Sequence, residues 1–273
     1  MKELISKPIN GTQDKFNELC VKGGGAGGGP LRGKVQELLS QSGKSLNHFG
    51  QTEVAEQLAL YPHLNPWHVC FAVGLCWGHL AELNEKFVGA AARLMSDWNS
   101  ADLAEARLHH FERGPEPIEQ SLSGGHVLFQ KVKLPDQLPT DLKRLRNFQE
   151  RWWVPILSKD RPRYIGSWNA TAMFMIALFA QPKLADTLVE PEVLLPPGGP
   201  IYLGLKILRQ ANLLSRDPAG SDLDDQAVEP GAVYENNALF AEIHKGPVSW
   251  SLVDVHSGLY MLGTRYAPSK QWF

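Results

Sequence analysis

Asn65 followed by Pro66 constrains the fold of this chain more than any other pair of residues. An asparagine at the N-cap accepts a hydrogen bond from the first helical turn, and a proline at the first helical position gives up a donor that has no partner there. The dipeptide therefore starts a helix. Behind it Val69, Val73, Trp77, Leu80, Leu83 and Phe87 recur at steps of three and four. That spacing predicts one helix running as far as Trp98 with an apolar stripe turned toward a core.

Shorter patterns on either side fill in the architecture. Val35, Leu38 and Leu39 predict a helix over Lys34–Ser40, and further helices are expected over Thr52–Tyr61 and over Ser100–Arg113, which stops at Gly114 and Pro115. Gly125–Leu134 carries His126, Val127, Leu128, Phe129 and Val132, residues that suit a pleated surface, and reads as a strand. Helices then follow over Thr140–Val154, Ser167–Phe179 and Ile201–Leu214. Tyr234–His244, Val248–His256 and Gly258–Tyr266 read as three strands, broken at Gly246-Pro247 and Ser257-Gly258. Helices first and strands last predict an α+β fold, a helical N-terminal half with a C-terminal antiparallel β-meander packed on helices. Residues 1–32 read as a flexible glycine-rich arm and 33–273 as a single domain, with a helical subdomain over 33–120. No internal repeat is visible.

Composition narrows the class of function. With 273 residues and 43% hydrophobic content the chain can bury a sizeable core. A net charge of −2 argues against a general nucleic-acid binder. Cys20, Cys70 and Cys76 cannot all pair within one chain, and the latter two sit in an apolar helical pattern, which points to a reducing compartment. The N-terminal MKELISKPINGTQDKF lacks the apolar core of a secretory signal. The longest apolar run, Ala170–Ala180, falls short of the roughly 20 residues that a bilayer requires. A cytoplasmic protein without membrane contact is expected.

Three motifs come near to chemistry. GGGAGGGPLRGKV, Gly23–Val35, places Gly28, Gly33 and Lys34 where a phosphate-binding loop needs them, but Val35 stands where a hydroxyl should hold magnesium. No buried strand precedes it, so a flexible linker into a helix is the preferred reading. His68, Cys70, Cys76 and His79 are of zinc-ligand type, yet on one helix His68 and His79 lie about 16 Å apart and cannot share an ion. Only Cys76 and His79 could supply half a site. In the C-terminal meander Trp250, Leu252, Asp254 and His256 share one strand face. Asp254 could orient His256 for general-base work, but no nucleophile accompanies them. No cofactor, metal or catalytic set is expected from these patterns.

Charge is distributed unevenly. Between Asp217 and Glu229 stand five acidic residues, Asp217, Asp222, Asp224, Asp225 and Glu229, and no basic one, in a Gly-, Pro- and Ser-rich stretch that reads either as a solvated loop or as an acidic patch for a basic partner. Between Lys143 and Arg163 the cations Lys143, Arg144, Arg146, Arg151, Lys159, Arg161 and Arg163 prevail, with Trp152 and Trp153 among them. Arginine beside aromatics suits protein and nucleic-acid interfaces, and equally a charged outer helix face whose tryptophans point inward.

Eight tryptophans and the absence of a complete catalytic motif favour a binding protein over an enzyme. From about Gly33 to Phe273, and above all in VSWSLVDVHSGLYML and the acidic stretch before it, the chain resembles cytoplasmic immunity proteins of bacterial toxin pairs, such as those that guard against nuclease toxins of type VI secretion systems. The resemblance implies association with one cognate toxin, made by Asp217, Asp222, Asp224, Asp225 and Glu229 with Trp250 and Tyr260 as aromatic anchors. It implies no direct contact with nucleic acid, and leaves monomer and homodimer open. The rival reading is a hydrolase or nucleotide-binding enzyme using Lys34 or the Asp254 and His256 pair. A third is a nucleic-acid adaptor using the Arg151–Arg163 region.

Overall fold

A computed structural model describes residues 54–78, 84–108, 115–157, 199–210, 214–220 and 230–244, with scattered positions between 173 and 184 and residues 255, 256, 259 and 263. Of these residues 78% are helical and none lies in a strand. The expected α+β fold with a C-terminal β-meander is thereby corrected to a helical architecture among the described residues. They fall into two compact units, one within His48–Ala185 and the other within Asp186–Asp224 and Gly231–Trp272.

In the first unit a helical segment over 54–60 precedes α1 (Pro66–Gly78), which starts where Asn65 and Pro66 require. Asn65 Oδ1 accepts from the Trp67 backbone N–H at 2.9 Å. Residues 67–76 are all buried, so α1 is covered on every side and not along a stripe. Its sequence, PWHVCFAVGLCWG, offers no polar face, and a helix apolar all round belongs at the centre of a core.

The single helix expected as far as Trp98 is two. α2 (Glu85–Ser96) has its own N-cap in Asn84, whose side chain accepts from Lys86 N at 3.0 Å and Phe87 N at 3.3 Å. Asn99 does the same for α3 (Ser100–Arg107). Arg93 on α2 reaches Asp102 and Glu105 of α3, both at 3.0 Å, and Arg107 pairs with Glu119 of α4 (Pro115–Lys131). Helix α4 replaces the strand expected over Gly125–Leu134 as far as Lys131. Its buried positions Ile118, Ser121, Leu122, Gly125 and Leu128 step by three and four, a period that a seven-residue window around Phe129 conceals. At Gly125 a Cβ would lie 2.9 Å from Phe71 Cε1 of α1 and against the thioether of Met95 of α2, so the three helices meet where no side chain fits.

Asp141 caps α5 (Leu142–Phe148), which runs on through a π-helical turn at Gln149–Trp153 into α6 (Val154–Leu157). The Val154 N–H bonds to the Gln149 carbonyl, five residues back. Pro155 has no N–H to give, and in a regular helix its ring would strike a carbonyl of the preceding turn. The π turn resets the ladder just ahead of it, and the helix continues past the expected end at Val154. Trp67, Phe148, Phe174 and Trp153 stack in succession with centroids 4.5, 6.0 and 4.8 Å apart. Burying each such ring contributes about 1.5–3 kcal/mol.

In the second unit lie α7 (Gly199–Gln210) and α8 (Pro230–His244). Helix α8 overturns the first strand of the meander. Ala232, Val233, Asn236, Leu239 and Phe240 are buried at helical spacing, and Pro230 opens the first turn. Val255, His256, Leu259 and Gly263, which belong to the other two expected strands, are helical and buried. The remaining residues of those strands lie outside the described residues, as do the glycine-rich arm and the helix expected over Lys34–Ser40. No helix of the described residues is long and apolar enough to cross a membrane.

Candidate partner-binding surface

Of the acidic stretch, Asp217 is described; Asp222, Asp224, Asp225 and Glu229, together with the expected anchors Trp250 and Tyr260, lie outside the described residues. Asp217 sits on the loop 214–220, which side chains of two helices hold in place. From the last turn of α7, Arg209 donates through Nε to Asp217 Oδ1 at 3.1 Å and through Nη1 to the Leu214 carbonyl at 3.1 Å. From α8, Glu242 accepts from the Ser215 N–H at 2.9 Å and also from the Ser215 hydroxyl, and the Glu235 carbonyl accepts from Arg216 Nη2 at 2.7 Å.

Asn236 fixes the far end of the loop. Its Oδ1 accepts from Ala219 N at 2.9 Å and its Nδ2 donates to Ala219 O at 2.6 Å. The amide is fully buried and satisfied on both sides, so the loop backbone takes the place of water. Gly220 then turns the chain at φ +120°, a conformation that costs any residue with a Cβ.

The loop is thus set before any partner arrives, which lowers the ordering entropy that association must overcome. The Asp217 side chain is 84% exposed even though it is paired with Arg209. An ion pair this open adds little to stability, and its carboxylate still faces water. On α8, Tyr234 is 53% exposed, an amphipathic ring on a helix that clamps the loop. Reading Tyr234–His244 as a strand hid this residue. Counting 3.6 residues per turn from Pro230 sets it apart from the buried positions 232, 233, 236, 239 and 240.

Elsewhere the structure separates residues that the sequence groups. His68 is buried, its Nδ1 is 2.9 Å from Ser96 Oγ, and its ring meets Phe129 edge-on. Burial, and then the neighbouring His126, lowers its pKa to about 4, so the imidazole is neutral. Burial pushes the Cys76 thiol up to about 12 and Cys70 higher, so both stand as protonated thiols in the core. Among the described residues no three His, Cys, Asp or Glu side chains gather around a point where an ion could sit. His79, Lys34 and Asp254 are outside the described residues. His256 is in a helical turn, which removes the alternating strand face it was expected to share with Asp254.

In the basic segment the two tryptophans part company. Trp153 is fully buried, whereas Trp152 is half-buried with the Arg151 guanidinium 6.0 Å from its ring centroid. No family model, curated protein or solved structure matches the chain.

Proposed function

We propose that this chain is a cytoplasmic immunity protein that binds and neutralises a cognate bacterial toxin, a nuclease effector of a type VI secretion system. The observation that supports this reading is the loop 214–220, held rigid by Arg209, Asn236 and Glu242 while it presents the Asp217 carboxylate to solvent. In sequence it leads directly into Asp222, Asp224, Asp225 and Glu229. A nuclease groove built for phosphates displays arginine and lysine to any polyanion. An acidic segment launched from a fixed base raises the rate of encounter with such a groove, and aromatic side chains such as Tyr234 then slow dissociation.

Co-expression with the toxin encoded beside its gene tests the reading. A complex that survives gel filtration at micromolar concentration is expected, and its mass also gives the association state. Replacing Asp222, Asp224 and Asp225 together by lysine should slow association about ten-fold or more at low salt and much less at high salt. Absence of any complex at micromolar concentration refutes the proposal.

A further inference from the structure

A cavity of about 340 Å³ opens where the chain enters α5, between the segment 135–139 and the helix from Arg144 to Trp152. Its walls are fixed on both sides. Trp67 Nε1 donates to the Pro135 carbonyl at 2.9 Å and anchors the segment to the core, and the buried Phe148 in its wall is stacked on Trp67. On the helical side the π turn at Gln149–Trp153 places Trp152 in the lining and the adjacent Trp153 in the core. Single π turns of this kind recur where a helix builds a functional site.

The chemistry of the lining is specific. Trp152 and Pro139 supply flat apolar surface, and Asn147 and Gln137 supply carboxamides that each offer an acceptor and a donor in one plane. Arg144 supplies a guanidinium whose Nη1 donates to Thr140 Oγ1 at 3.0 Å and whose Nε lies 3.4 Å from Asp141 Oδ2. Its side chain is 62% exposed and its Nη2 has no partner among the described residues, so one edge of the guanidinium stays open. Asp136 in the same lining and Asp141 beside Nε disfavour an anion on their sides and leave the Nη2 edge of Arg144 as the place for one.

An aromatic face, paired acceptor and donor groups, and a guanidinium are what an adenine nucleotide requires. The base stacks on an aromatic ring, a carboxamide pairs with its N6 and N7 edge, and arginine takes the phosphate. We infer that this cavity is a binding site for an adenine nucleotide, with the base against Trp152, its edge read by Asn147 and Gln137, and the phosphate on Arg144. Such a ligand can be a free mononucleotide or one nucleotide of a single strand. The lining shares no residue with the loop 214–220, and a nucleotide site there does not rest on toxin binding.

Calorimetry on the full chain with AMP, GMP, UMP, adenosine and a short single-stranded oligoadenylate tests the inference, with circular dichroism to verify the fold of each variant. Saturable binding of AMP below millimolar concentration is expected, about ten-fold weaker for adenosine, GMP and UMP. Trp152→Ala and Asn147→Ala should each weaken it about ten-fold or more, Arg144→Ala should remove the preference for AMP over adenosine, and Trp152→Phe should restore most of the affinity. Tighter binding of oligoadenylate with the same Trp152 dependence identifies a strand as the source, and tighter AMP identifies the free nucleotide. No binding of AMP or oligoadenylate, equal binding of GMP or UMP, or binding unaffected by Trp152→Ala in a folded variant overturns the site, whatever the toxin experiment shows.

Discussion

His68 should make the first unit sensitive to acid over a defined range. It is 8% exposed, packed against Phe129 and 2.9 Å from Ser96, with its pKa lowered to about 4 from an ordinary 6.5 by burial and secondarily by His126. Above pH 6.5 the imidazole is neutral in both folded and unfolded chains, and the folded state keeps the full benefit. As the pH falls from 6.5 toward 4, the unfolded chain takes up a proton that the folded chain refuses, so stability falls with pH through that window. At 1.36 kcal/mol per pKa unit, the loss by pH about 4.5 is on the order of 2–3 kcal/mol. Urea unfolding of wild type and His68→Gln at pH about 7.5 and 4.5 measures it. The variant loses stability at both pH values through poorer packing, but the difference between the two pH values should shrink by about 2–3 kcal/mol relative to wild type. Equal pH dependence in the two proteins, or an NMR titration of His68 centred near its ordinary pKa, would refute the reasoning.

Two glycines that admit no Cβ should respond differently to alanine. At Gly204 the new methyl runs into the Leu259 backbone carbonyl, whereas at Gly125 it meets the Met95 thioether and the Phe71 ring, which can shift. Gly204→Ala should therefore cost about 2–3 kcal/mol of overpacking by chemical denaturation. Gly125→Ala should cost less, because side chains can yield where a backbone carbonyl cannot, while the gain of about 1 kcal/mol in helix propensity is common to both. Asn236→Ala removes both bonds to Ala219 and should destabilise the second unit by about 2–3 kcal/mol, with faster amide exchange over 214–220. In a Cys20→Ser variant, Cys70 and Cys76 should react with a thiol reagent at the rate of unfolding, and a burst of modification in native buffer would contradict their burial.

The sequence marks helix starts better than it marks secondary-structure type. Asn65 and Pro66 place the start of α1 because capping is local chemistry, legible in two residues. Asn84 carries the same signal, but it lies inside a run of apolar spacings that continues across it, and the two helices read as one. The mistaken strands at Gly125–Leu134 and Tyr234–His244 share a cause. Short windows rich in Val, Phe, Tyr and Ile satisfy strand preference, while the helical period shows only when Ile118 or Ala232 is counted with residues two turns away. Of the candidate surface, the acidity is plain in the sequence, whereas the clamp that fixes Asp217 is not. It depends on Arg209 of α7 and on Asn236 and Glu242 of α8, which converge on the loop from two helices that no local spacing connects.

The complete enclosure of α1 also restricts how the first unit can be made. During synthesis its residues leave the ribosome ahead of α2 and α4, so the nascent chain must carry a rod with no wettable side until its later neighbours are translated. A fragment ending before α4 would leave that rod bare and should accumulate in inclusion bodies or on chaperones. For this protein, the cover over α1 is completed late in translation.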